Sequence, residues 1–297
     1  MVPADRNSIS PPSAIPCPLV AILKTPYIYK QSKLIMGLFD FLRKKEQPET
    51  IKQTEKSVQK SSEPYLGDLS KTDILFKLIQ TPQAERDENW RHTFLDNIVQ
   101  ASFRCGDPQV ITGPDGFPYF QLFLPEPHKE FQCFVIERMK DDFLLASGFG
   151  VVINPTSNSS DWVLSYGDIL NLHLNNTFYT TTETPFSKET SNTIITENEK
   201  VMIGQPSETI LPKQTRQHIA EFLKINGVKS PKVLLMMRHK PNGSGVSQDI
   251  VFNLTPNNFK DENIYRSVMQ TISWYLPRHY SFVGMDEKSL GNGFMPL

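Results

Sequence analysis

The chain has 297 residues, a formal net charge of −1 and 38% hydrophobic residues, enough for a sizeable core in one or two domains. The balance of 31 Lys and Arg against 32 Asp and Glu supplies no basic face, so nucleic acid is not an expected partner. Three cysteines (Cys17, Cys105 and Cys133) without a CxxC pair argue against a disulfide framework and fit a reducing, cytoplasmic compartment, and no apolar run approaches the roughly 20 residues of a membrane span.

Residues 1–35 are rich in Pro and Ser and carry no helical or strand period. They read either as a mis-annotated start or as a disordered extension. Residues 36–45 put Leu38, Phe39, Phe41 and Leu42 on one helical face, followed by Arg43, Lys44 and Lys45. Such a short amphipathic helix either makes weak peripheral membrane contact or packs on its own protein. Residues 46–70 are polar and read as a flexible linker.

Residues 71–183 are expected to form an N-terminal α+β domain. Ile74, Leu75, Leu78 and Ile79 suit a short helix, and Trp90, Phe94, Leu95, Ile98 and Val99 a longer one over residues 85–103. Strands at 109–112 and 119–124 flank the Gly113-Pro114-Asp115-Gly116 turn as a hairpin. Further strands are expected at 132–137 and 150–153, with a short helix near Phe143. Residues 184–199 read as the connection to a second domain.

Residues 200–297 have the clearest alternation. A strand at Val201-Met202-Ile203 precedes a helix carrying Ile219, Phe222 and Leu223, with Gly227 as its stop. The uniformly apolar Val233-Leu234-Leu235-Met236-Met237 reads as a covered strand. A turn at 240–245 leads to a strand with Ile250, Phe252 and Leu254 on one side. A second helix, from near Asn258 to Pro277, precedes a last strand at 280–283. The order βαββαβ predicts a ferredoxin-like sheet with two helices on one face. The fourth strand would then lie beside the first, followed by the third and the second.

That order gathers Gln205, Glu208, Arg278 and His279 on one rim. A guanidinium beside a carboxylate and an imidazole can hold a carboxylate-bearing peptide or another small anion; the bland alternative is a surface ion pair. The remaining chemistry is sparse. There is no P-loop, no GxGxxG, no GxSxG and no HExxH. The six histidines have no metal-ligand spacing, so neither a cofactor nor a metal is expected. Cys105 and Cys133 read as buried small residues. Asp141-Asp142 reads as a solvated pair rather than catalytic carboxylates. Trp162, Tyr166 and Phe178 read as core before ligand wall. In Ser165-Tyr166-Gly167-Asp168, the glycine is expected to supply a turn φ and Asp168 to cap the next helix.

Val201-Met202-Ile203-Gly204-Gln205-Pro206, the strand over residues 228–237 and the closing run 280–290 resemble the C-terminal domain of the bacterial SseB-like (enhanced serine sensitivity) family. Gly150-Val151-Val152-Ile153-Asn154-Pro155 is similar to a strand of that family's N-terminal domain, whereas residues 162–174 depart from its pattern. The resemblance carries no catalytic residue. It implies a bacterial cytoplasmic protein that binds something. The function expected is therefore a non-catalytic binding or regulatory protein, with an unknown protein or a small anionic ligand as partner. The alternatives are a hydrolase with an inter-domain site and an immunity or effector-associated interaction protein.

Overall fold

The computed structural model describes residues 66–186, 201–239 and 245–297. The expectations for residues 1–35 and 36–45, most of the 46–70 linker and of the 184–199 connection, and the turn at 240–244 lie outside the described residues.

The first half opens with α1 (Leu69–Leu78), whose N-cap Asp68 accepts from the backbone N–H of Ser70 and Lys71. Asp87 does the same for α2 (Glu88–Ile98), accepting from Trp90 N at 2.7 Å. Each carboxylate satisfies N–H groups that the first helical turn leaves without partners. The hairpin follows as β1 (Arg104–Thr112) and β2 (Pro118–Phe123). Next come α3 (Ile136–Met139), a wider helical turn (Lys140–Leu144) and α4 (Leu145–Ser147). Then β3 (Gly150–Ile153), β4 (Trp162–Leu164) and α5 (Tyr166–Asn175) complete it. The strand expected at 132–137 is not formed. Phe134 makes one isolated antiparallel bridge to Phe103, and Ile136, Met139 and Leu144 are buried from a helical stretch instead.

The second half comprises β5 (Val201–Gly204), α6 (Lys213–Ile225), β6 (Lys232–His239), β7 (Val246–Phe252), α7 (Glu262–Tyr275), β8 (Phe282–Gly284) and the unexpected β9 (Met295–Pro296). The protein is thus α+β. The first sheet has the order β1-β2-β3-β4, with β2 and β3 parallel and the other pairs antiparallel. The second has the order β5-β6-β7-β8, with β7 and β8 parallel, and β9 pairs with β6 in line with β5.

This order corrects the ferredoxin-like expectation. The connection through α6 returns the chain to the strand beside β5. The crossover through α7 adds β8 outside β7. So β5 and β8 occupy opposite edges, with Gly204, Leu235, Ile250 and Phe282 in one row across the sheet. Three strand spacings of ~4.8 Å separate the ends of that row by ~14 Å.

The apolar run in β6 is explained by burial on both faces. Val233 and Leu235, with Ile250 and Phe252, join the cluster that holds Ile219, Phe222 and Leu223 of α6 and Val268 and Ile272 of α7. Leu234, Met236 and Val251 point the other way and pack with Phe294 of the C-terminal segment.

The larger cluster continues without a break into the first half, so the two sheets share a core rather than owning one each. Trp274 stacks on Phe117 with ring centres 4.2 Å apart and donates its Nε1–H to the Tyr119 hydroxyl at 3.1 Å. Tyr166 lies edge-on to Tyr275, and its hydroxyl meets Thr215 Oγ1 at 2.9 Å. Gly167 stands where α5 meets the end of α7. Its φ is not positive, contrary to the expected turn role. What requires glycine is closeness: a Cβ there would sit 2.1 Å from the Leu276 carbonyl oxygen. The Gly167→Ala variant is expected to lose about 1–3 kcal/mol, the scale of forced overpacking, read as a lower urea midpoint at unchanged slope.

Candidate functional site

The expected rim is not assembled. Glu208 accepts from Arg216 Nη2 at 2.5 Å and from the backbone N–H of Lys213, the first residue of α6, at 2.8 Å. Arg278 turns to the other half of the protein. Its Nε and Nη2 donate to Asp168 Oδ1 and Oδ2 at 2.7 and 2.8 Å, and the guanidinium lies over the Tyr179 ring. Burial, with the Asp168 charge adding, pushes the Tyr179 hydroxyl up to about 12. The His279 ring packs edge-on against Phe186 and Tyr280, and Gln205 is exposed. The physical reason is the strand order: with β5 and β8 on opposite edges, Glu208 and Arg278 each pair with what lies nearest.

Asp168 is fully buried. It holds the start of α5 through a reciprocal cap in which Ser165 Oγ accepts from Asp168 N and Asp168 Oδ2 accepts from Ser165 N. The N-cap is therefore Ser165, with Asp168 three residues in. The aromatic residues read as core before ligand wall pack as core: Trp162 lies against Trp90 and Phe94, Tyr166 belongs to the Trp274 group, and Phe178 is buried. Asp141 spends its carboxylate on Lys140 and His173 at 2.7 and 2.6 Å. Cys105 and Cys133 are half-buried rather than fully buried. Among the described residues no group of three or more His, Cys, Asp or Glu side chains converges as a metal site.

One cleft, of about 470 Å³, lies between Lys71, Arg91, Glu137 and Tyr179. Two others each lie outside the carboxyl ends of a parallel strand pair, where open sheets commonly hold ligands. The first of these two, about 460 Å³, lies beyond β2 and β3. Phe76, Ile79, Phe123 and Leu124 give it an apolar wall, and Arg86, Arg104, Glu126, Asn154, Thr156 and Asp161 bring polar groups to its edge. Asn154 builds one side. Its backbone is left-handed (φ 47°), its Oδ1 accepts from Leu124 N at 3.0 Å, and its Nδ2 donates to Asp161 Oδ2 at 2.7 Å. Arg86 closes the back by donating to Asp161 Oδ1 at 2.7 Å and to Thr81 O at 3.1 Å, stacked on Trp90.

The second cleft, about 720 Å³, lies beyond β7 and β8 and is polar, lined by Asn253, Thr255, Asn258, Asp286, Glu287 and Lys288. Lys232, at the start of β6, is paired with Glu287, and Asn253 Oδ1 accepts from Lys232 N at 2.7 Å. Sequence reasoning missed these clefts, because their residues come from separate elements. The one available signal was Asn154-Pro155, noted as part of the resemblance over residues 150–155 and not as a cleft wall.

No protein-family model, no curated protein and no solved structure matches this chain.

Removing the partner of a buried charge is costlier than removing a surface pair. Arg278→Ala, which leaves the buried Asp168 carboxylate with the Ser165 N–H but without its cation, is expected to lower stability by about 1.5–3 kcal/mol, the value of a hydrogen bond to a charged group. Glu208→Ala, in the exposed turn before α6, is expected to cost under about 1 kcal/mol. Guanidinium chloride melts of the two variants side by side check the ordering.

Proposed function

We propose that this chain is a non-catalytic binding or regulatory protein whose ligand seats in the cleft beyond β2 and β3. The observation that carries the reading is the composition of that cleft: an apolar wall with a few convergent polar groups, at the carboxyl ends of parallel strands. Small-molecule sites are built this way. The resemblance to the SseB-like family supports a binding role and a bacterial cytoplasmic setting.

The hydrolase alternative asked for a site between two domains. Stacked and edge-on rings of Phe117, Trp274, Tyr275 and Tyr166 fill the junction of the two sheets. Their packing favours the binding reading, because a reaction needs space for substrate beside its titratable groups. Among the expected partners we carry forward the small ligand rather than a protein.

Amide NMR spectra recorded while phenol and indole are titrated in test this. Shifts are expected at Phe123, Leu124, Asn154 and Asp161, with the probes chemically unchanged after prolonged incubation. Shifts confined to other surfaces would remove the cleft from consideration, and conversion of an added ester or amide probe would favour the enzyme.

A further inference from the structure

We infer that the cleft beyond β2 and β3 takes a small monocarboxylate with an apolar body, and that Arg104 anchors its carboxylate. This rests on the binding reading above and adds the ligand's charge and the residue that meets it.

Four ionisable side chains line the cleft, Arg86, Arg104, Glu126 and Asp161, and the two cations differ in what they have left to give. Arg86 is saturated. Its Nε donates to Thr81 O, its Nη1 to Asp161 O, and its Nη2 to Ile79 O and Asp161 Oδ1. Arg104 lies over the Phe123 ring at 4.7 Å, and its contact with a carboxylate is long, Nη2 to Glu126 Oε1 at 3.3 Å. Its Nε is buried and meets no acceptor among the described residues, so a ligand reaches the partly exposed Nη1–Nη2 end. A guanidinium has five donors in a fixed fork, and that end of Arg104 retains capacity for a carboxylate, which it can meet with two parallel bonds.

Glu126 is a weak competitor for that place. It is largely exposed, and its other oxygen is held by Lys129. Its carboxyl lies below the usual range first because of the bond from Lys129, with Arg104 the smallest contribution. An incoming carboxylate can therefore take the Arg104 fork while Glu126 stays on Lys129.

The second cleft shows the corresponding position filled from within the chain. Arg104 opens β1 opposite Phe123, and Lys232 opens β6 next to Val233, which stands opposite Phe252. Lys232 is bonded to Glu287 of the chain itself. In the first cleft the equivalent cation lacks so close a partner.

Charge also selects the anion. A dianion such as a phosphate monoester would face Glu126 and Asp161 with a single competent cation, and like charges in a shared site repel. A monocarboxylate matches Arg104 one to one, and the wall formed by Phe76, Ile79 and Leu124 covers its apolar body.

The test uses 4-phenylbutanoate, 4-phenylbutanamide and 4-phenylbutyl phosphate as probes, titrated into the full chain by amide NMR. The acid is expected to bind in the cleft about tenfold or more tightly than the amide, the scale of one charge-assisted hydrogen bond, and more tightly than the phosphate. Arg104→Gln should lose about that factor for the acid alone, with amide binding unchanged. Glu126→Gln, distant from the core, should strengthen acid binding. Equal affinity of acid and amide, or an Arg104→Gln variant that binds the acid as well as the parent, overturns the carboxylate assignment and leaves the cleft standing. Should Arg104→Gln fail to fold, acid binding that Glu126→Gln leaves unchanged overturns it. If no probe moves the cleft resonances, both readings fall.

Discussion

The Leu276 carbonyl lies where a side chain on residue 167 would be, and the joining of the two halves depends on that approach. Because Gly167 has no Cβ, the end of α7 lies directly on the first turn of α5. The neighbours of Leu276 then reach across: Trp274 onto Phe117 and Tyr119, Tyr275 onto Tyr166, and Arg278 onto Asp168. Aromatic pairs add roughly 0.5–1.5 kcal/mol each beyond the area they bury, so three such contacts contribute on the same scale as the ion pair. The Arg278–Asp168 pair contributes direction. A two-bond fork fixes the angle between α7 and α5 more tightly than rings that can slide. Asp168 already caps α5, so one carboxylate ties the local start of a helix to an element 110 residues away.

Much of the fold was legible because period and burial are linked residue by residue. The five apolar residues Val233 to Met237 read as a covered strand, and the structure puts alternate members against α6 and α7 on one face and against Phe294 on the other. Ile219, Phe222 and Leu223 read as a helix face and form one. Strand order was not legible. Alternation says which face a residue takes, and nothing about which strand lies beside which. The rim of Gln205, Glu208, Arg278 and His279 depended on that order and failed with it. Arg278 was chosen as a rim cation beside Glu208 and His279, whereas it pairs with Asp168, a residue read only as a cap. The glycine at 167 shows the same gap: its presence was noticed, but closeness to Leu276 is a tertiary fact.

Laid side by side, the halves follow one plan. In each, a helix leads into an antiparallel hairpin, and a helical crossover returns the chain as a parallel strand beside the hairpin's second member. That is α2-β1-β2-α3/α4-β3 in the first half and α6-β6-β7-α7-β8 in the second. No sequence repeat announces it, since apolar residues of different size can satisfy the same pattern. The plan has a chemical consequence. A parallel pair flanked by an antiparallel strand leaves a crevice at its carboxyl end, and both halves have one.

What distinguishes the two crevices is where their charges find partners. In the second, Lys232 and Glu287 pair within the chain and Asn253 bridges Lys232, Ser230 and Glu287. An incoming anion would have to break that set and leave Glu287 alone, so the cost of entry offsets the gain. In the first, the bonded set is Asn154, Asp161 and Arg86, and it lies at the back, holding the shape. Arg104 stands apart from that set, on the Phe123 ring and beside the apolar wall. A ligand there would gain a charge-assisted bond and bury its apolar body without dismantling any pair except the long contact to Glu126. Low polarity around a guanidinium strengthens its attraction for an anion and raises the cost of leaving it underbonded. The same arrangement of strands thus yields one crevice closed by its own side chains and one whose cation is left with capacity for a ligand.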